Sequence, residues 1–273
     1  MNAPFSIWSQ YYGTKDPEDA ILEFKKDGIT HIELSFEHSA ALLERGDDHI
    51  AIGRKFAEFL REHGISVSQG HLYFPTHFCT DENYFKGLVR EIEMFWAIGI
   101  KNAVLHCDFM KDVDISYDDR RELNIKKLRE LFGLIEHVDI TICLENLSKH
   151  VMGADELVEI IEKVGSEKLA ICLDTGHLNI SKADTQYDFI KKAGKHLKAL
   201  HLHDNEGKTD QHILPFGRGK INFDEIVKAL CEIDYDGLFN FEIPGENSCP
   251  IEILHQKAKY TKEIYDYLMD LEN

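Results

Sequence analysis

The feature that most limits the fold is an eightfold alternation of short apolar runs with longer amphipathic ones. The short runs fall at 5–9 (FSIWS), 30–35 (THIELS), 65–71 (ISVSQGH), 102–107 (NAVLHC), 139–145 (DITICLE), 169–174 (LAICLD), 197–203 (LKALHLH) and 238–243 (LFNFEI). Helical periodicity covers 17–27, 50–63, 82–98, 117–137, 154–164, 184–194, 223–233 and 250–271. Strands separated by helices pair in parallel, because each crossover returns the chain to the same end of the sheet. Asp16 before Pro17 and Asn222 before FDEIVKAL mark helix starts. Gly28, Gly64 and Gly99 follow helix ends, where a left-handed residue is wanted. No linker or composition break interrupts the pattern, so residues 1–273 are expected to form one (β/α)8 TIM barrel, a single domain. A doubly wound open sheet would place GxGxxG after its first strand. The nearest fragment, GRG at 217–219, sits late and reads as a loop turn.

With 43% hydrophobic and 29% charged residues, the chain has the composition of a globular enzyme with a large core. Its six cysteines form no CxxC pair, and Cys143 and Cys172 lie inside apolar runs, where small buried thiols are expected. No apolar stretch reaches the roughly 18 residues of a membrane span. The opening MNAPFSIWSQYYG lacks the basic and apolar regions of a signal peptide, so the expected location is cytoplasmic. Lys and Arg number 31 against 49 Asp and Glu, a net charge of −18. Such a surface repels phosphate backbones and argues against nucleic acid as the partner, although it leaves room for a local basic groove or bound cations.

Alternation within the strands separates two faces. Ile140, Ile142 and Leu144 oppose Thr141, Cys143 and Glu145; Leu169, Ile171 and Leu173 oppose Ala170, Cys172 and Asp174; Leu200 and Leu202 oppose Ala199, His201 and His203. One face suits packing beneath outer helices. The other is small and ends in a ligand-type residue, as a barrel interior reads when its C-terminal mouth carries a site. Glu33, His71, His106, Glu145, Asp174, His201, His203 and Glu242 stand at strand ends, with His177, Asp210 and His212 close behind. A single strand-end histidine is ordinarily structural. Many carboxylates and imidazoles on one rim call for a divalent cation, since unpaired carboxylates packed together repel and protonate.

THIELS, CLEN, CLDTGH, HLHDN with its following DQH, and FEIPGE together resemble the xylose-isomerase-like TIM-barrel superfamily along the whole chain. That superfamily contains sugar and sugar-phosphate isomerases and epimerases as well as endonuclease-IV-like AP endonucleases. The resemblance implies one metal ion (zinc, manganese, magnesium or cobalt) held by Glu145, Asp174, His201 and Glu242. His201 is preferred to His203 because it matches the first histidine of the family's strand-7 element. The endonuclease branch holds up to three zinc ions with five further ligands, matched here by His71, His106, His177, Asp210 and His212. In the isomerase or epimerase branch, Glu145 and Glu242 move the proton, and Glu33, His71 and His177 line the substrate pocket. Arg218 departs from the glutamate common at its position, which points to a phosphate or carboxylate on the substrate or to a solvent-facing loop residue. The implied partner is a small sugar or sugar phosphate. The alternative is a zinc-dependent phosphodiesterase acting on abasic DNA. A barrel that had lost its activity would be expected to lack one of the two glutamates, and both are present.

Other features read more plainly. WSQYYG (8–13) suits either a sugar-stacking wall or core packing; Trp96 falls at core spacing; HLYFPTHF (71–78) suits a pocket wall or lid. FEHSAALLERGDDH reads as the loop after strand 2, and SYDDRREL (116–123) as an acidic helix start without catalytic content. The last helix is expected to close the barrel and offers a candidate homo-oligomer contact.

Overall fold

Parallel pairing runs through every strand of the computed structural model, which describes residues 3–151, 153–246 and 248–271. The strands are β1 (Phe5–Trp8), β2 (His31–Leu34), β3 (Ser66–His71), β4 (Asn102–Leu105), β5 (Thr141–Glu145), β6 (Leu169–Asp174), β7 (Leu197–His201) and β8 (Phe239–Phe241). They lie in the order β7-β6-β5-β4-β3-β2-β1-β8. The two ends meet through Leu202, whose N–H donates to the Asn240 carbonyl at 2.9 Å and whose carbonyl accepts the Glu242 N–H at 3.1 Å. The result is a nearly closed (β/α)8 barrel.

The surrounding helices are α1 (Pro17–Lys26), α2 (Phe36–Leu43), α3 (His49–His63), α4 (Glu82–Ile98), α5 (Tyr117–Leu134), α6 (Ala154–Val164), α7 (Thr175–Ser181), α8 (Gln186–Ala193), α9 (Phe223–Glu232) and α10 (Ile251–Asp270). Eight of them match the expected helices to within a few residues. Asn222 caps α9 as its sequence suggests, with its side chain accepting the Glu225 N–H at 3.4 Å. Asp16 precedes Pro17 at the start of α1 but makes no side-chain cap bond. Gly64 and Gly99 both take left-handed backbone angles at the ends of α3 and α4.

Two expectations change. The segment after β2 is not simply a loop: Ser35 accepts the His38 N–H at 3.3 Å and starts α2. Trp96 is not core, being 36% exposed, because Phe85, Leu88, Ile92 and Phe95 already form the buried stripe of α4 and Trp96 lies a quarter-turn beyond it. The aromatic stretch after β1 does pack inward, with the Tyr12 ring edge-on to Phe24 at 4.8 Å.

The alternating faces produce two cores. Bulky residues on the outward face, including Ile142, Leu144, Ile171, Leu173 and Leu200, join the layer shared with the helices. Val104, Cys143, Ala170, Cys172 and Ala199 form a separate small cluster inside the barrel. Some interior polar groups are paired across it: Ser6 donates to Asn240 at 2.9 Å, and Asn102 donates to the Lys198 carbonyl at 2.9 Å.

Glu91 of α4 fastens the loop after β3. It is buried, accepts the hydroxyl of Ser39 on α2, and accepts the Tyr73 N–H at 3.0 Å. Burial pushes its carboxyl up to about 7. Between its usual pKa and that value the folded chain binds the proton more tightly than the unfolded chain, so stability falls as pH rises through this window. Glu91→Gln is therefore expected to flatten the decline in unfolding free energy between about pH 5 and about pH 8, by roughly 3 kcal/mol at most. Equal declines in the two proteins by denaturant unfolding would refute this assignment.

Candidate metal centre

The residues that continue the interior face at the strand ends meet at the C-terminal mouth. Glu33 comes from β2, His71 from β3, Glu145 from β5, Asp174 from β6 and His201 from β7. His106 and Glu242 follow β4 and β8 directly, His177 stands on α7, and Asp210 and His212 occupy the loop between β7 and α9. Glu145 is the hub. Its Oε2 lies 3.0 Å from His106 Nε2, 3.1 Å from His201 Nδ1 and 3.6 Å from His71 Nε2, while Oε1 lies 3.0 Å from His177 Nδ1. Glu242 Oε2 reaches the same His201 Nδ1 at 3.4 Å. Farther out, Asp210 Oδ2 joins His177 Nε2 at 3.2 Å and His212 Nε2 at 3.1 Å.

Three imidazoles are held from behind. His201 Nε2 donates to Glu33 Oε1 at 2.9 Å, His71 Nδ1 to the Leu72 carbonyl at 2.7 Å, and His212 Nδ1 to the Glu242 carbonyl at 2.8 Å. These partners accept only, so each ring gives one proton outward and turns its other nitrogen inward. His201 Nδ1 is buried and makes no hydrogen bond. Such orientation from a second layer is what metal-ligating histidines require. The ligand atoms of Asp174, His201 and Glu242 lie within 4.8 Å of one another, as do those of His71, Glu145 and His201, of Glu145, Asp174 and His177, and of His203, Asp210 and His212. The donor set therefore fits a divalent ion.

Electrostatics separates the two glutamates. Burial works to raise Glu145, but His106 and His201 outweigh it and hold the carboxyl well below its ordinary range. Burial raises Glu242, and His201 and His212 only partly offset it. Burial pulls His212 down, yet Glu242 and Asp210 carry it up to about 10.

Of the eleven side chains named at the mouth from sequence, all lie in or beside this cluster, but two differ in position from the rest. Glu33 is fully buried behind His201, with its second oxygen taken by Asn240, which is the geometry of an orienting group. His203 contacts Asp174 at 3.0 Å and stacks on His212 with ring centroids 3.8 Å apart. Arg218 stands apart: it is exposed, with Nε 4.0 Å from Glu206. Phe74, from HLYFPTHF, packs on His106 at 4.8 Å and forms a wall, while Tyr73 beside it is 45% exposed.

A family model described as the xylose isomerase-like TIM barrel matches residues 21–271. The chain belongs to that family. Among curated relatives, an uncharacterized protein of Sinorhizobium fredii is 29% identical over 163 residues, covering 58% of this chain and 51% of its own. The chain spans about half the length of the curated relatives it matches. Among solved structures, the D-psicose 3-epimerase of Clostridium cellulolyticum H10 with D-tagatose superposes with a TM-score of 0.78 at 19% identity, covering 97% of this chain and 99% of that one. The IOLI protein with a binding zinc atom superposes at 0.76 and 19% identity, covering 95% and 96%. At these identities the likeness is one of fold. Among the described residues no helix is long and apolar enough to cross a membrane.

Sequence reasoning missed the supports of this family's strand-7 element. Asp204 Oδ1 accepts the backbone N–H groups of Lys220 and Ile221 at 2.9 and 3.0 Å, and Asn205 donates to the Gly176 carbonyl at 2.9 Å. The DN after HLH was the available signal. Gly176 is forced by space, because a Cβ there would lie 2.0 Å from His203 Cε1. Gly176→Ala is expected to cost about 1–3 kcal/mol of stability and to displace the ring. Thermal unfolding checks the first effect, and a shifted His203 imidazole resonance by NMR checks the second.

Proposed function

We propose that this chain is a divalent-metal-dependent isomerase or epimerase of a sugar or sugar phosphate, with Glu145, Asp174, His201 and Glu242 holding one ion. The observation that carries this reading is the approach of Glu145 and Glu242, from β5 and from the end of β8, to the one bare nitrogen of His201 at 3.1 and 3.4 Å. Three carboxylates and an imidazole suit manganese, magnesium, cobalt or zinc. Such an ion, when bound, supplies Lewis acidity toward a carbonyl.

The chain's own groups supply the proton transfer. One glutamate removes a proton from the carbon beside the carbonyl, leaving an enediolate, and the other delivers its own proton from the opposite side, which inverts the centre. His177 and His71 would hydrogen-bond substrate hydroxyls, and Phe74 would help to exclude water. The structural neighbours, a D-psicose 3-epimerase and an L-ribulose 3-epimerase among them, support the substrate class.

A second reading rests on the outer groups. His71, His106, His177, Asp210 and His212 gather around the same Glu145, as a multinuclear zinc phosphodiesterase acting on abasic DNA would need.

The test combines metal analysis by mass spectrometry with exchange, in D2O, of the substrate hydrogens on the two carbons beside the carbonyl over a panel of ketoses. About one ion per chain is expected, with exchange abolished by chelator and restored by Mn²⁺. Glu145→Gln and Glu242→Gln should each slow exchange about a hundredfold or more. About three tightly held zinc ions together with cleavage of an abasic-site duplex would replace this reading with the second.

A further inference from the structure

A cavity of about 520 Å³ opens beside the cluster and shares His106 and His177 with it. This is a size that takes a small organic ligand. Its outer wall is basic. Lys111 follows β4, Arg120 opens α5, and Lys149 follows β5, with Ser148 and His150 beside them and no carboxylate in the lining. That is unexpected in a chain with 49 acidic and 31 basic residues. Among the described residues none of the three cations has a carboxylate within ion-pair distance, whereas the neighbouring Arg121 pairs with Glu159 at 3.2 Å. Arg120 Nε is buried without a hydrogen-bond partner, and its Nη1 meets only the Nδ1 of His150, at 3.5 Å. The guanidinium of Arg120 thus keeps donors that a ligand oxyanion in the cavity can take up.

We propose that this cavity binds an oxyanion carried by the substrate, at the end of the sugar remote from Glu145, so that the enzyme acts on phosphorylated or carboxylated sugars in preference to neutral ones. The inference rests on the proposed sugar chemistry for the placement of the reacting carbon. His106 and His177, each 3.0 Å from Glu145, fix the near end of the ligand. Lys111, Arg120 and Lys149 fix the far end, and Phe74 and Phe109 cover the carbon chain between. Arginine offers a planar fork to the anion and the two lysines add point charges.

The test is calorimetric binding to the metal-loaded protein of neutral ketoses, their terminal phosphates and the matching keto-uronates. The tightest ligand should be anionic, and should bind about tenfold or more above its neutral parent. The preference should narrow at high ionic strength. Preference for the phosphates or for the uronates tells which anion is native. Lys149→Gln, at an exposed position where folding is not at risk, should reduce the ratio of anionic to neutral affinity at least about threefold, and Arg120→Gln further. Equal affinity for neutral and anionic ligands, a ratio that survives both substitutions, or no binding by any member would overturn the proposal. Hydrogen exchange at the carbons beside the carbonyl is read separately. Anion preference without exchange would sink the isomerase reading and leave the oxyanion site standing; exchange confined to neutral ketoses would do the reverse.

Discussion

The proton that His201 gives to Glu33 is the constraint on which the rest of the mouth depends. It leaves Nδ1 facing Glu145 and Glu242, two buried carboxylates that repel each other unless positive charge lies between them. Glu33 can do this because Asn240 satisfies its other oxygen and Ser6 in turn donates to Asn240, a chain of bonds crossing β2, β8 and β1. His71 and His212 repeat the device with backbone carbonyls. The carbonyl that orients His212 belongs to Glu242 itself, so that residue fixes a ligand-type ring with its backbone and joins the cluster with its side chain.

The barrel's interior explains why the cluster forms at this depth. Val104, Cys143, Ala170, Cys172 and Ala199 are small, and they close the barrel just beneath the functional layer. Two residues farther along the same faces come His106, Glu145, Asp174 and His201. Parallel register then sets strand ends side by side: Asp174 is paired with His201, and Glu145 with Cys172. A one-residue slip in any strand would turn its functional side chain into the helix layer. Bulky residues on the outward face oppose that slip, since it would bring them into the narrow interior.

Much of this was legible in the sequence because strand alternation is a period-2 signal that survives without an alignment. It located Glu145, Asp174 and His201 on the interior face and gave the eightfold repeat. It did not give α2 or α7, which are only eight and seven residues long and lie where loops were expected. Short helices depend on caps more than on periodicity, and here Ser35 and Asp174 supply them. Asp174 accepts the His177 N–H at 2.6 Å and so ties a cap to the cluster at the mouth, a double role that no spacing rule conveys. Trp96 misled for the opposite reason: it lies in an apolar run whose neighbours already fill the buried stripe. Glu33 was legible as a rim residue, but its direction was not, because that is set by Asn240, 207 positions away.

The basic cavity escaped sequence reading for a further reason. Lys111, Arg120 and Lys149 come from three separate segments, two of them beside acidic neighbours that mask them in any local window. SYDDRREL reads as a negatively charged helix start, and so it is along the chain. In space Arg121 turns toward Asp118 and Glu159, which leaves Arg120 to face the cavity. The acidic surface and this cationic wall work together. A strongly negative protein repels anions at long range, but charges beyond about 10 Å are screened at ordinary salt. At contact distance inside a walled cavity the local cations prevail. An anionic substrate would then gain little from long-range steering and much from the final contact, so selectivity would be expressed in how long the ligand stays rather than in how fast it arrives.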